Sequence, residues 1–150
     1  MVVQIDSREQ QNKEVIEYFD NINQKYIISK LYAGDYCNLN GPTILIDLKK
    51  DILEVVGNLT KDHERFRREI LRATEEMNCR FIVLIREQLE NLEQVKLWQS
   101  PKNKNGKPRT QVKGEILYKI MKTVSEKYKV EWKFCTRKNA GQRIIEILGE

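Results

Sequence analysis

The stretch "GDYCNLNGPTILIDLKK" at residues 34–50 places Asp47 and Lys49 directly after an apolar run and shortly after another acid, Asp35. Side chains alternate along a strand, so Asp47 and Lys49 project from the same face, roughly 7 Å apart along the strand. Two carboxylates and an ammonium gathered at one place do not add stability to a single strand. The pattern therefore indicates a functional site rather than packing.

The loop between the two strand-like halves of this stretch decides whether the acids meet. If the Asn-Gly pair at 40–41 alone formed the turn, Asp35 would lie opposite Ile46, on the other face from Asp47. A loop of three or five residues, or a bulge, places Asp35 directly across from Asp47, with Cβ atoms about 5 Å apart. Pro42 favours this arrangement because it lacks an N–H for the tightest pairing. We predict an odd-length loop or a bulge.

Two facing carboxylates repel each other unless a positive charge lies between them. Mg²⁺ commonly binds one or two protein carboxylates and takes its other oxygens from water and substrate phosphate. Such an ion acidifies water and offsets phosphate charge, while Lys49 orients the water or stabilises developing charge. Asp35 and Asp47 are thus predicted metal ligands in a phosphodiester-hydrolysing site. Asp-x-Lys alone is far more often a surface ion pair, and only Asp35 and the basic charge described next make it specific.

The charge of the chain is concentrated in one segment. Residues 96–138 hold thirteen Lys or Arg and three Glu, a net charge of 13 − 3 = +10, whereas the whole chain carries +5. A solvated, lysine-rich surface would show the same excess, but a basic region of this size favours nucleic acid as a partner. The mobile loop "SPKNKNGKPRTQVK" at 100–113 supplies the predicted DNA-phosphate contacts, which are Lys102, Lys104, Lys107, Arg109 and Lys113.

Length and composition restrict the class of protein. A chain of 150 residues fits a single domain, and we expect residues 1–150 to form one. We expect no membrane span and no signal peptide, and a cytoplasmic protein of a prokaryote or its virus. The three cysteines lack metal-type spacing and are predicted to be reduced core thiols. The only histidine, His63, lies in a charged segment and is interpreted as a surface residue, which argues against a histidine-dependent nucleophile.

Hydrophobic periodicity predicts an α/β fold with a mixed central sheet and helices on both faces. The most continuous apolar run, at 79–87, is the predicted centre of the sheet. Strands are also predicted at 2–6, 25–39, 42–50 and 129–135, and helices at 11–24, 51–59, 63–77, 114–128 and 139–148.

Several linked motifs resemble a known family. The acid, turn and Asp-x-Lys pattern resembles the PD-(D/E)xK nuclease core. "IDSRE" at 5–9, "GDY" at 34–36, "IDLKKDILEVVGNL" at 46–59 and "RFRRE" at 65–69 are similar, in the same order, to the XPF family of structure-specific endonucleases. The resemblance implies a restriction-endonuclease-like fold, a Mg²⁺ or Mn²⁺ cofactor, and branched or flapped DNA as the substrate. The roles it implies are metal binding by Asp35 and Asp47, assistance to water by Lys49, and lining of the site by Asp6, Arg8 and Glu9.

The sequence departs from the family pattern at three places. Asp47 stands where the family has Glu, which shortens the reach, and Leu48 stands where it has Arg, which removes a phosphate or carboxylate contact. The last acid of the family motif corresponds to Glu54 or to Asp51, and the sequence leaves this open. We also expect no helix-hairpin-helix module, so the basic loop would have to bind the DNA in place of that module.

These observations favour a metal-dependent DNA endonuclease that acts in repair, recombination or replication. Two alternatives remain open: a non-catalytic DNA-binding or dimerisation subunit that keeps the nuclease fold, and a Holliday-junction resolvase, which would need a homodimer. The apolar segments at 115–121 and 143–148 fit a dimer face as well as they fit a core. Retention of the two acids and the lysine argues against the non-catalytic alternative.

Overall fold

The computed structural model describes residues 1–150 and contains the predicted hairpin. Strands β3 (Tyr36–Asn38) and β4 (Ile44–Lys49) pair antiparallel, with Tyr36 opposite Ile46. The five residues between them, 39–43, form the loop. The prediction of an odd-length loop is therefore confirmed, and the two-residue turn is excluded.

The sheet has six strands in the order β2-β1-β3-β4-β5-β6. Strands β1 and β2 are parallel, β1–β3 and β3–β4 are antiparallel, and β4–β5 and β5–β6 are parallel. The predicted mixed α/β sheet is thus confirmed. The remaining strands are β1 (Val3–Ile5), β2 (Tyr26–Ile28), β5 (Arg80–Arg86) and β6 (Glu131–Cys135), and the helices are α1 (Lys13–Asn21), α2 (Ile52–Leu59), α3 (His63–Leu71), α4 (Gly114–Tyr128) and α5 (Ala140–Leu148).

Two details of the sheet differ from the sequence prediction. Strand β5 is buried on both faces from Phe81 to Arg86, as expected, but it is the fifth of six strands, and β3 and β4 occupy the centre. Residues 25–39 are not one strand, because β2 pairs with β1 at the edge of the sheet and only β3 joins the hairpin. The chain leaves the sheet between them where the Asp6 carboxylate accepts the Leu31 N–H at 2.9 Å.

The core is divided by the sheet into two apolar clusters. Leu45 of β4 packs with residues of α2, α3 and α4 on one face, whereas Ile46 packs with residues of α1 and α5 on the other. All six residues of β4 are buried, including Asp47 and Lys49, which belong to the first face. The three cysteines are buried and free, as predicted. None of the helices combines the length and apolar content needed to cross a bilayer.

The basic segment 100–113 is a loop, as predicted, and its tip folds into a turn. The Asn103 N–H donates to the Lys107 carbonyl at 2.7 Å, and Lys102 forms an isolated bridge with Pro108. Gly106 accommodates the turn with φ of +76°. The positive side chains are therefore held outward on a short hairpin-like tip.

Gly34 fixes the entry of the chain into β3. It has φ of +74°, and a Cβ atom there would lie 3.2 Å from the Ile46 carbonyl oxygen. We predict that Gly34→Ala lowers the free energy of unfolding by about 1 to 2 kcal/mol, because alanine is strained at positive φ and presses on β4. Urea unfolding followed by circular dichroism measures the change.

Gly41→Ala is the matched control, because no atom lies within 4 Å of its Cβ position and its φ is not in the left-handed region. We expect this variant to change the free energy of unfolding by less than about 0.5 kcal/mol. Equal stability of both variants and the wild type would contradict the role given to Gly34.

Candidate active site

The two predicted acids face each other across the hairpin. The pairing of Tyr36 with Ile46 continues to Asp35 and Asp47, and the Asp35 N–H donates to the Ile46 carbonyl at 2.7 Å. One carboxylate oxygen of Asp35, Oδ2, accepts the Leu48 N–H at 2.7 Å, which holds the side chain over β4. The register therefore brings both acids to the same face of the sheet.

Lys49 joins this pair on the same face. Its Nζ atom lies 2.9 Å from Oδ2 of Asp47 and 3.8 Å from Oε1 of Glu54, and it also lies 5.6 Å from the centre of the Phe66 ring. Asp47 and Lys49 are only 4% and 7% exposed, so this is a buried ion pair. Oδ2 of Asp47 nonetheless makes no well-directed hydrogen bond, although the ammonium lies 2.9 Å away.

A cavity of about 330 Å³ opens above these residues. It is almost entirely polar, and most of its wall comes from the hairpin, the residues after β1, and helices α2 and α3. The residues with titratable side chains in its wall are Asp6, Arg8, Glu9, Tyr32, Asp35, Asp47, Lys49, Glu54, Arg65, Glu69 and Arg72.

The three site residues expected after β1 all reach this cavity, with different contacts. Asp6 is buried and has a structural role, because its carboxylate accepts hydrogen bonds from the Leu31 N–H and, at 3.0 Å, from Arg8 Nε. Arg8 also donates to the Leu31 carbonyl at 2.9 Å, and its side chain is 62% exposed. Glu9 accepts from the Gln11 N–H at 3.0 Å and more weakly from the Tyr36 hydroxyl at 3.4 Å.

In the absence of a cation, the ionised state of the acids in the cavity is electrostatically unfavourable. Burial raises the pKa of the Asp35 carboxyl well above its ordinary value, and the charges of Asp47 and Glu9 raise it further. Burial likewise raises the pKa of Glu9 and of Glu69, and the charge of Asp47 adds to both shifts. These carboxyl groups share one small volume with too little positive charge to balance them.

The charge of Lys49 is favoured by its surroundings. Burial alone would lower the pKa of its ammonium, but the contact with Asp47, followed by the charges of Glu54 and Glu69, outweighs burial and raises it. Lys49 is therefore a cation and a hydrogen-bond donor at neutral pH. It cannot accept a proton in this state.

The residues present fit a divalent cation that prefers oxygen ligands. Asp35 and Asp47 face each other, one oxygen of Asp47 lacks a directed hydrogen bond, and the charges of Asp47 and Glu9 add to the effect of burial in raising the pKa of Asp35. No set of three or more His, Cys, Asp or Glu side chains is arranged as a full cage. An ion held here would need water and substrate oxygens as its other ligands, which is the usual situation of Mg²⁺.

Sequence reasoning missed Glu69 as a member of the site. Glu69 lies on α3 between Phe66 and Ile70, on the face that packs against the sheet, and it accepts the Gly34 N–H at 3.3 Å. A carboxylate at helical spacing between core residues was the signal that could have identified it. Glu69 and Asp47 line the same cavity, and the charge of Asp47 adds to the effect of burial in raising the pKa of Glu69.

The two acids that follow the lysine have different positions. Glu54 lines the cavity next to Lys49. Asp51 is the N-cap of α2 and accepts the Glu54 N–H at 2.9 Å. Leu48, which stands where the family has Arg, is buried in the apolar cluster on the opposite face.

The predicted DNA-binding residues of the basic loop lie outside this cavity. None of the five lines it, and Lys102 and Lys113 instead line a separate cavity of about 570 Å³ beside Trp98. Lys104, Lys107 and Arg109 are exposed on the loop. His63 is exposed and lies outside the cavity, in agreement with its interpretation as a surface residue.

Solved structures share this arrangement of sheet and helices. XPF from Aeropyrum pernix superposes with a TM-score of 0.67 at 16% identity, covering 99% of this chain and 60% of that chain. XPF from the same organism in complex with DNA gives 0.66 at 17% identity, covering 99% and 63%. The chain thus spans about 60% of the length of the solved chains it matches. A comparison with curated proteins gives no match.

The fold is that of an α/β domain with the architecture of the XPF nuclease domain. The ERCC4 domain model matches residues 5–148, nearly the whole chain. The chain therefore belongs to the ERCC4 domain family, and the resemblance seen in its motifs is confirmed.

Replacing Asp35 by Asn tests the electrostatic cost of the site. We predict that Asp35→Asn raises the free energy of unfolding in EDTA by on the order of 1 kcal/mol, because a half-buried, repelled carboxylate is removed while the acceptor for Leu48 is kept. Urea unfolding at several pH values measures the gain. Mn²⁺ should raise the melting temperature of the wild type and not that of the variant.

The pH dependence has a definite sign. The pKa of Asp35 is higher in the folded chain than in the unfolded chain, so its favourable contribution is full below an unfolded pKa of about 4. This contribution is lost as the pH rises through the raised folded value. The difference in the free energy of unfolding between Asp35→Asn and the wild type must therefore increase with pH. Glu17→Gln, a control on the exposed face of α1, should show no such trend. A constant or shrinking difference would contradict the assignment.

Proposed function

We propose that the protein is a metal-dependent DNA endonuclease that hydrolyses phosphodiester bonds in flapped, forked or branched DNA. The observation that carries the proposal is the meeting of Asp35, Asp47 and Lys49 on one face of the hairpin, inside one polar cavity. Membership of the ERCC4 domain family supports it. A similar structure, XPF from Aeropyrum pernix, is a complex with DNA, which agrees with DNA as the partner.

The residues of the cavity have distinct roles in this proposal. Asp35 and Asp47 would hold Mg²⁺ or Mn²⁺, which supplies positive charge against the phosphate and acidifies water. Lys49 donates hydrogen bonds from its ammonium and stabilises negative charge that develops on the phosphate. Glu69 lies beside Asp47 and can orient a water molecule through its carboxylate. Arg8 lies at the rim, where its exposed guanidinium can contact the DNA backbone.

Asp6 and Glu9 support this arrangement rather than perform chemistry. Asp6 fixes the chain at Leu31, which precedes the first acid, and Glu9 is held by Gln11. The basic loop lies outside the cavity and supplies sequence-independent contacts to DNA phosphates. A role in repair, recombination or replication follows from branched substrates, and a homodimer would be needed only for paired cuts across a junction.

Cleavage assays test the chemistry. With Mg²⁺ or Mn²⁺, the wild type should cut flap, fork or junction DNA faster than linear duplex, and EDTA should stop cutting. Asp47→Asn should lower the cleavage rate by at least about a hundredfold, since it removes a ligand and the partner of Lys49. Lys49→Met, which keeps the apolar contact with Phe66, should reduce it similarly.

Binding assays separate chemistry from recognition. Both variants should bind the preferred DNA in EDTA about as well as the wild type does, and Glu17→Gln should cut at the wild-type rate. Binding without any cutting by the wild type would overturn the proposal and favour the non-catalytic subunit. Cutting only in symmetric pairs at four-way junctions would favour the resolvase.

The basic loop is tested by its salt dependence. Neutralising Lys102, Lys104 and Lys107 together to Gln should reduce the slope of log affinity against log salt by roughly one per lost phosphate contact. Anisotropy titrations with fluorescent flap DNA in EDTA measure the slope. Replacement of Lys13, Lys25 and Lys30 by Gln removes the same charge outside the loop and should leave the slope unchanged. An unchanged slope in the loop variant would exclude the loop as the DNA-binding segment.

A further inference from the structure

A further cavity, of about 480 Å³, lies at the carboxyl ends of β4, β5 and β6. Its walls are formed by Lys50, Asp51, Arg86 and Arg137. Lys50 directly follows β4, Arg86 is the last residue of β5, and Arg137 follows the end of β6. Ligands of open α/β sheets bind in crevices outside the carboxyl ends of the strands.

Arg86 is the unusual member of this set. It is only 9% exposed, and one terminal nitrogen donates to the Gln11 carbonyl oxygen. Its Nε atom is buried and has no hydrogen-bond partner. A buried guanidinium nitrogen without an acceptor is costly, so its retention at a cavity wall indicates an anion that it binds.

The other two cations also have free donors. Arg137 uses only Nε within the chain, donating to Glu14 at 3.3 Å, so its terminal nitrogens are free. Lys50 makes no ion pair. The only acid in the wall, Asp51, accepts the Glu54 N–H as a helix cap. Outside the wall, Glu14 pairs with Arg137 Nε at 3.1 Å and the charge of Glu9 acts on Arg86. The wall itself therefore holds three cations and one acid.

We infer that this cavity binds a phosphate of the DNA strand next to the phosphate that is cut. The inference rests on the proposed function. Lys49 and Lys50 are consecutive, so Lys49 belongs to the acidic cavity and Lys50 to the cationic one, on opposite faces of the strand end. A strand that crosses the end of β4 meets both cavities. Planar guanidinium groups bind phosphate oxygens in pairs, which suits Arg86 and Arg137.

Salt-dependent DNA binding in EDTA tests the subsite without requiring cleavage. Lys50→Gln and Arg137→Gln should each reduce the slope of log affinity against log salt by about 0.9, the value for one phosphate. Both side chains are exposed, so the fold is retained. Lys25→Gln is the matched control, because it removes the same charge before β2, at the opposite edge of the sheet, and should leave the slope unchanged.

Neutral methylphosphonate linkages then locate the contact. A single methylphosphonate is placed at successive positions of flap DNA around the cutting position. At one position, adjacent to the cut, it should weaken binding to the wild type several-fold. Arg137→Gln and Arg86→Lys should lose that position-specific effect, while Lys25→Gln keeps it. Wild-type slopes in Lys50→Gln and Arg137→Gln, or a methylphosphonate effect that survives in both arginine variants, would overturn the subsite.

The outcomes separate this inference from the proposed function. If the wild type cuts DNA and the slopes do not change, the subsite is wrong and the nuclease stands. If the slopes change but no DNA is cut under any metal condition, the cavity is a DNA-phosphate site and the nuclease proposal fails.

Discussion

The hairpin register between β3 and β4 is the constraint on which the site depends. With Tyr36 opposite Ile46, Asp35 and Asp47 share a face with Lys49, and the intervening side chains of β4 enter the opposite apolar cluster. A slip by one residue would place an apolar side chain in the polar cavity and a carboxylate in the core. Core packing therefore fixes the register, and the register in turn fixes the repelling acids in place.

Much of the hairpin and of the fold was predictable because the signals are local. Alternation places Asp47 and Lys49 on one face, the Asn-Gly pair marks the hairpin, Pro42 favours the odd-length loop, and helical spacing identifies α1 to α5. The break in residues 25–39 was not predictable, because it depends on the Asp6 carboxylate, 25 residues from its partner Leu31. Long-range hydrogen bonds of this kind leave no periodicity in the sequence.

The same limit explains the site residues that were missed. Glu69 and Arg86 come from a helix and a strand whose apolar patterns predict only burial, so their charges first become informative when the sheet brings them to its end. The end of β4 then separates charge by face: acids around Lys49 lie on one side, and cations around Lys50 lie on the other.

The five-residue loop at 39–43 has a consequence for how this segment tolerates insertions and deletions. It is exposed, but its backbone is held at both ends, because the Leu39 N–H donates to the Val2 carbonyl at 2.8 Å and the Arg80 N–H donates to the Thr43 carbonyl at 2.9 Å. Core packing fixes the pairing of β3 and β4 on either side of the loop, so an added residue must bulge out of the connection and cannot turn Asp35 to the other face. Gly41 is the position where such an addition disturbs least, because no atom lies within 4 Å of its Cβ position.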